Sequence, residues 1–311
     1  MEKSAARVIN FSLAKPGEGS HHRAVESVCV AVSSRAPGLI VLKFFSALFV
    51  QIEIMTALLV LCVAMEFIAV IDRYTMRQRW LGITLNYLSL VGSILAAWPL
   101  QQIWAHVGFS KHIVVPLADW LSPYGVAGSV AYVAILLTLT DFLRYWSHRA
   151  EHRWLWPFHS VHHAQTELHV ANSAGHPLQA VPELFLVSMP LSLIQFSGPG
   201  VPSLISAFAV LMSMYIHSPI DIHAGPLRRL FVDNRFHRIH HSIEQKHVNR
   251  NFGIGLSIWD WMFRTAYWPK RNEWPNTGVT GLKPPQSIAD FLLYPLRASG
   301  REVESNTRAL Q

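Results

Sequence analysis

The sequence predicts an all-α fold: a polytopic membrane bundle of about four to five spans or half-spans, with a histidine-rich helical cap on the cytoplasmic side. Three observations predict it. Half of the 311 residues are hydrophobic and only 14% are charged, whereas soluble domains carry about 25% charged residues. The apolar residues gather in runs at about 39–71, 82–100, 125–146, 181–197 and 201–219, close to the roughly 20 residues that a membrane-crossing helix needs. Eight histidines then fall in three tight clusters beyond the third run: His148 and His152; His159, His162 and His163; His237, His240 and His241.

Taken in order, residues 1–38 are polar, rich in Ser, Ala, Arg and His, and without an apolar period, which predicts a disordered arm. The first long apolar run begins near Leu39 and has no small-residue cleavage pattern, so no signal peptide is expected. Residues 39–124 are assigned to N-terminal membrane helices. Lys43, Gln51 and Glu53 interrupt the first run, which predicts one span over about 54–71 behind an interfacial segment. Met55 opens that span and is a candidate initiation site. Arg73, Arg77 and Arg79 follow it, and the positive-inside rule puts them in the cytoplasm. The second span then runs outward. The loop near 108–124 holds Lys111 as its only Lys or Arg. The third span returns and delivers His148 and His152 to the cytoplasmic face. Runs 181–197 and 201–219, hinged at Gly198-Pro199-Gly200, read as an out-and-back hairpin that brings His217 to the same face. Residues 125–270 form the expected catalytic domain. Residues 271–311, broken by Pro275, Pro284, Pro285 and Pro295, form an irregular tail with short helices. This topology makes the chain an integral membrane protein with its site on the cytoplasmic side, at the inner membrane of a bacterium or the endoplasmic reticulum of a eukaryote.

The net charge is +7, but the basic residues are scattered between apolar runs and form no aromatic-interleaved stripe, which argues against nucleic acid. Attraction to anionic lipid is the simpler account. Cys29 and Cys62 are isolated, so neither a disulfide framework nor a thiolate metal site is expected.

The chemistry lies in the histidines. His159-Ser-Val-His162-His163 recurs 78 residues later as His237-Arg-Ile-His240-His241, two copies of H-x-x-H-H. Residues three and four apart share a helix face, so each copy presents two or three ring nitrogens from one turn. His148 and His152 do the same. His217 ends an apolar run, and the topology places it beside the clusters. His176 is an even choice between ligand and structural residue. His223 and His247 read as less suited to direct ligation, and His106, His112 and His169 as solvated or interfacial. Asp141 lies two turns before His148; it either orients a ligand imidazole or pairs with Arg144. Asn251-Phe252-Gly253 and Trp259-Asp260 read as a turn and a packed helix. All-nitrogen ligation argues against iron–sulfur and most structural zinc. Two copies of the motif supply more ligands than one tetrahedral zinc uses, and two non-haem iron ions with five or six ligands each suit them better. Such a pair can use O2 to oxidise an unactivated C–H bond of a lipid at the bilayer edge.

The order and flanks of these clusters resemble the fatty acid hydroxylase/sterol desaturase superfamily over about residues 125–268. The residues that carry the likeness are Asp141-x2-Arg144-Tyr-Trp-x-His148-Arg-x2-His152, Leu155-Trp-x-Phe-His159-x2-His162-His163, His176-Pro-Leu, His237-Arg-Ile-His240-His241, Asn251-Phe-Gly and Ile258-Trp-Asp260-x2-Phe263. The bacterial sterol-desaturase-like branch and alkylglycerol monooxygenase look most similar. The resemblance implies a membrane helical bundle with a di-iron centre that hydroxylates or desaturates a lipid (sterol-like, carotenoid, or a fatty acyl or alkyl chain), with O2 as co-substrate. Electrons would come from a separate ferredoxin- or cytochrome b5-like donor with its reductase. By analogy the ligands are His148, His152, His159, His162, His163, His217, His237, His240 and His241. Gln179 stands where the family often has Glu, and Trp261 and Arg264 replace its usual Arg and Gly. Pro219 leaves open whether Asp221 or His223 helps hold the second ion.

Two other readings use the same residues. His148-Arg-Ala-Glu151-His152 spells H-x-x-E-H, a zinc peptidase pattern with Glu as general base, but it leaves both H-x-x-H-H copies unexplained. A non-enzymatic metal transporter predicts ligands strung along the spans, whereas these collect at one face.

Overall fold

A computed structural model describes residues 37–68, 71–72, 74–108, 113–198, 202–220, 222, 225–270 and 272–299. The chain divides into two compact units, residues 1–49 and 50–311; the described part of the first is the opening of helix α1 alone. Three helices are long and apolar enough to cross a membrane, within Val41–Phe67, Met76–Val107 and Leu117–Trp154.

Helix α1 is Pro37–Ile68, one continuous element. The sequence reading placed the span later, over 54–71, because three polar residues interrupt the run. Lys43, Gln51 and Glu53 do not break it, since a helix is stopped by Gly or Pro rather than by a polar side chain, and neither occurs between Leu39 and Ile68. Helix α2 spans Met76–Val107. Thr75 caps it: its hydroxyl accepts from Gln78 N, while Gln78 Oε1 accepts from Thr75 N (2.8 Å). Two orphan amides are satisfied reciprocally, which is why the helix starts ahead of its apolar run. At 32 residues each and 1.5 Å per residue, α1 and α2 reach about 48 Å, beyond the roughly 30 Å hydrocarbon layer. Short helix α3 (Leu117–Leu121) leads into α4 (Gly125–Trp154). Val60, Phe67, Leu95, Ile103, Val126 and Val130 on α1, α2 and α4 are more than half exposed, an apolar surface suited to lipid tails.

The fourth and fifth apolar runs are shorter than spans. Helix α6 (Ala180–Glu183) passes through a π-helical stretch, Leu184–Ser188, into α7 (Met189–Ser192), and the chain then extends. Strand β2 (Ile194–Phe196) pairs in parallel with β1 (Ile113–Val115), Ile113 opposite Ile194. Helix α8 is Pro202–His217. Helical lengths of about 20 and 24 Å make both half-spans. The two short strands are the departure from an all-helical chain.

One face of α2 builds the floor of the site. Arg79, Gly82, Asn86 and Ser89 recur at three- and four-residue spacing, hence on one face. Arg79 forms a buried ion pair with Glu66 of α1, and Glu66 Oε1 accepts from Val170 N (2.8 Å). Asn86 Nδ2 donates to Ala171 O (2.5 Å) and Ser89 Oγ to Gly175 O (2.6 Å). A Cβ at Gly82 would strike the Ala171 carbonyl. The segment 169–176 is thereby clamped beneath helix α5 (Trp156–His163). Arg79, counted with the cytoplasmic loop in the sequence, is thus a buried structural charge. His169, expected to be solvated, is fully buried there against Tyr74, ring centroids 5.2 Å apart.

Candidate metal centre

Four elements carry the histidines. His148 and His152 occupy the last two turns of α4, and His159, His162 and His163 lie on α5. His217 ends α8, and His237 and His240 lie on α9 (Asn234–His240), with His241 at its C-terminus. Asp233 starts α9, its carboxylate accepting from Phe236 N (2.9 Å). Asn234 Nδ2 ties that start to α8 by donating to Ser218 O (3.0 Å) and Ile220 O (2.6 Å).

The nine side chains converge as two groups. His148, His152, His159, His163 and His240 form one; His162, His217, His237 and His241 form the other; within each, one ring nitrogen per residue lies within 4.8 Å of the rest. Each H-x-x-H-H copy is therefore divided. The first sends His159 and His163 to the group of five and His162 to the group of four. The second does the reverse, sending His237 and His241 to the group of four and His240 to the group of five. Residues i and i+4 flank one side of a turn, and i+3 points past it. The sequence expected five or six ligands on each ion; among the described residues the second group has four.

Protons cannot satisfy this arrangement. His148 Nδ1 donates to Phe252 O (2.8 Å), while His159 Nδ1 lies against both Glu151 Oε2 (2.8 Å) and Gln179 Nε2 (2.7 Å). A neutral imidazole has one N–H, so His148 Nε2 presents a lone pair, 3.0 Å from His159 Nε2. Neighbouring Nε2 pairs in both groups stand 3.1–3.2 Å apart. His240 Nδ1 donates to Arg250 O (2.8 Å), leaving a buried Nε2 without a hydrogen-bond partner. Burial first, and neighbouring imidazoles second, hold His162, His163, His237 and His241 well below the usual 6.5. Burial sets His240 at about 3. A cation between the lone pairs resolves the repulsion. Two nitrogens bound at about 2.1 Å lie about 3.0 Å apart at right angles and about 3.4 Å apart in a tetrahedron. The observed spacing fits the more crowded shell.

This burial has a pH consequence. The folded chain keeps His240 neutral down to about 3, while the unfolded chain takes up protons below about 6.5. Folding is therefore favoured in full above about pH 6.5 and loses stability as pH falls toward 3. The thermal midpoint of the detergent-solubilised protein is expected to be flat above about pH 7 and to fall below 6.5, with bound metal released over the same window. A midpoint that rises on acidification would contradict this.

A cavity of about 390 Å³ adjoins the groups; its lining includes His148, His159 and His217 together with Met55, Leu90 and Val210.

Residues 133–265 match the sequence model of the fatty acid hydroxylase family. An ornithine lipid hydroxylase of Rhizobium tropici is 32% identical over 175 residues, 55% of this chain and 52% of that protein. Over these residues the chain resembles the fatty acid hydroxylase family. The human (Homo sapiens) alkylglycerol monooxygenase is 28% identical over 127 residues, 40% of this chain and 28% of its own length. A very-long-chain aldehyde decarbonylase of Oryza sativa subsp. japonica is 26% identical over 164 residues, 48% of this chain and 25% of its own. The chain spans about half the length of the first relative and about a quarter of the others. No solved structure matches it significantly.

Within this matched region, the second layer of the site departs from the sequence reading. Asp141 neither orients an imidazole nor pairs with Arg144. Its carboxylate accepts from Gly255 N (2.8 Å), Leu256 N (2.9 Å) and Trp259 Nε1 (3.0 Å), and Arg144 pairs with Glu183 (2.6 Å). His176 lies in neither group. Its Nδ1 accepts from Leu178 N (3.2 Å) and its Nε2 donates to Leu292 O (3.2 Å), so both nitrogens are spent on backbone. Asp221 and His223 lie outside the described residues, as does His112, while His106 is exposed. His247 is buried beside Glu244 and Glu273, where Lys246 bridges the two carboxylates (3.1 and 2.7 Å) and supplies the cation.

The sequence reading named three further residues without giving them their bracing role. Asn251, at φ 60°, donates through Nδ2 to Phe236 O (2.8 Å) and Tyr267 O (2.9 Å) and accepts from Tyr267 N (2.7 Å). Asp260 accepts from Phe252 N (2.8 Å), Gly253 N (2.7 Å) and Thr265 Oγ1 (2.6 Å). Together they hold the carbonyls of Arg250 and Phe252 against His240 and His148. The third is Glu151, which touches His159 and also accepts from Gln179 Nε2 (3.0 Å). Gln179 Oε1 in turn accepts from His176 N (2.8 Å), so the amide that replaces the family's usual acid completes the chain to His159. Its sequence signal was a carboxylate on the His148–His152 helix, one residue before a ligand candidate.

Proposed function

We propose that the protein is a membrane-bound di-iron oxidoreductase that hydroxylates or desaturates a lipid. The division of nine buried or half-buried histidines into groups of five and four carries this reading. His148, His152, His159, His163 and His240 would hold one iron, and His162, His217, His237 and His241 the other. When bound, the iron pair supplies O2 reduction and the oxidising power to take hydrogen from a C–H bond. The balance is R–H + O2 + 2 electrons + 2 protons → R–OH + water; desaturation uses the same inputs and yields a C=C bond and two waters. The electrons come from a separate donor protein.

The chain's own residues set the conditions. Phe252 O and Arg250 O fix the Nδ1 tautomer of His148 and His240 and leave each Nε2 free, and Glu151 holds the His159 ring in place. Met55, Leu90 and Val210 give the cavity an apolar part that admits a lipid chain. The names of the relatives, a lipid hydroxylase and an alkylglycerol monooxygenase, support a lipid substrate. The arginines after α1 support a cytoplasmic site. The zinc peptidase reading needs Glu151 as a free base, but its carboxylate is bound to His159 and Gln179. The transporter reading needs ligands along the spans, but the two groups are gathered at the ends of α4 and α8.

The test compares lipids extracted from cells with and without the gene by mass spectrometry, together with metal analysis of the purified protein. A lipid shifted by +16 or −2, and about two irons per chain, is the expected result. Unchanged lipids from a protein that holds no iron would overturn it.

A further inference from the structure

Near the histidines the cavity wall is unexpectedly polar for a pocket meant to receive a bare hydrocarbon. Six serines line it: Ser89, Ser93, Ser147, Ser173, Ser206 and Ser213. Four of these hydroxyls serve the fold. Ser89 and Ser93 donate to Gly175 O and Pro177 O, Ser173 to Asn86 and Ser206 to Gln51. Ser147 is different. It is 4% exposed, and its Oγ has no hydrogen-bond partner among the described residues. Arg144, one turn earlier on the same face of α4, also lines the cavity. Its Nη2 holds Glu183, but its Nε is buried without a partner. Two unmet hydrogen-bonding groups thus stand beside His148, at i−4 and i−1, in the wall of the substrate cavity. Buried polar groups left unpaired are costly, and a ligand that pairs them gains what the empty wall lacks.

A narrow second cleft lies between α4 and α8, lined by Leu137, Ile205, Phe208 and Met212, and it shares Arg144, Ala209 and Ile254 with the main cavity. Thr140 and Asp141 also border it, its volume is only about 20 Å³, and Phe208 and neighbouring Leu204 are exposed. Arg144 therefore stands between the main cavity and this small hollow.

We infer that the lipid oxidised here carries an oxygen-bearing polar group (ester, ether, amide or hydroxyl) which Arg144 and Ser147 hold beside the metal centre. The carbon oxidised then lies within a few bonds of that group and not in mid-chain. Arg144 is already neutralised by Glu183, so an uncharged oxygen acceptor suits the wall better than a free anion. This inference rests on the lipid-oxidising reading above.

Two measurements test it. The first is binding to the purified full-length protein in nanodiscs, without added iron, using hexadecylglycerol, monopalmitoylglycerol and hexadecane as competitors of a fluorescent lipid. The two oxygen-bearing probes compete well and hexadecane poorly. Ser147→Ala weakens the oxygen-bearing probes about three- to tenfold, the value of one hydrogen bond, and leaves hexadecane unchanged. Arg144→Gln with Glu183→Gln removes the pair without stranding one charge and weakens the same two probes. Equal binding of hexadecane, or no effect of either variant, overturns the inference. The second is fragmentation of the oxidised lipid from cells. Oxygen or unsaturation next to the polar group supports it. Oxidation in mid-chain or at the methyl end overturns this inference alone, and the absence of any oxidised lipid overturns the lipid-oxidising reading itself.

Discussion

His162→Ala lowers bound iron from about two ions per chain to about one, and adding His237→Ala to it removes no more. Both side chains belong to the group of four, with His217 and His241. Losing His162 leaves three imidazoles whose Nε2 atoms are 3.1 Å apart in sequence around the group, too few to fill the crowded shell that this spacing fits. The group of five keeps all its members in the double variant. If each H-x-x-H-H copy held its own ion, His162 and His237 would serve different ions and the double variant would lose both. Iron content by plasma mass spectrometry on the two single variants and the double variant therefore separates crossed from uncrossed ligation. Lipid oxidation in all three is expected to fall more than about 100-fold, since loss of a mere supporting partner already costs about 10–100-fold. The complementary pair, His163→Ala with His240→Ala, strips the group of five and leaves the other ion in place.

That crossing was not legible in the sequence, although all nine histidines were. Helical spacing shows which residues share a face, and so His159, His162 and His163 read as one unit. Whether i+3 joins the same ion as i and i+4 depends on where the partner helix lies, and the approach of α9 to α5 is a tertiary fact. The three long helices were legible because apolar composition over about 20 residues leaves few alternatives. The start of α1 was not, because polar side chains were given the weight that belongs to Gly and Pro. Asn251 and Asp260 were read only as a turn and a packed helix for a different reason. Their partners are backbone amides and carbonyls, which carry no sequence signal, so a bracing loop and an ordinary turn look alike. His169 misled because a lone histidine near a bilayer reads as interfacial; the small residue that lets it bury, Gly82, lies 87 positions away.

Glu151→Gln is the substitution that best separates the enzyme classes this chain could be assigned to. The carboxylate touches His159 Nδ1 and accepts from Gln179 Nε2 and is the acidic group in contact with the nine-histidine cluster among the described residues. Imidazole ligands would bring no negative charge to bound cations, and buried charge is costly without a counter-charge. Glu151 would thus have two roles toward the group of five: it holds the His159 ring in place, and it supplies anionic character through that ring. A glutamine keeps the size and one acceptor oxygen but loses the charge. Iron affinity of that group is expected to fall about 10–100-fold, seen as faster loss of one iron to a chelator, while the group of four retains its ion. Because the defect is in holding the ion, excess iron restores most of the oxidation. A hydrolase that used Glu151 as general base would behave in the opposite way, keeping its metal at full affinity and staying inactive at every metal concentration. The discriminating quantity is the dependence of activity on iron: a curve displaced to higher concentration with a similar plateau assigns Glu151 to the metal, and a flat inactive line assigns it to the chemistry.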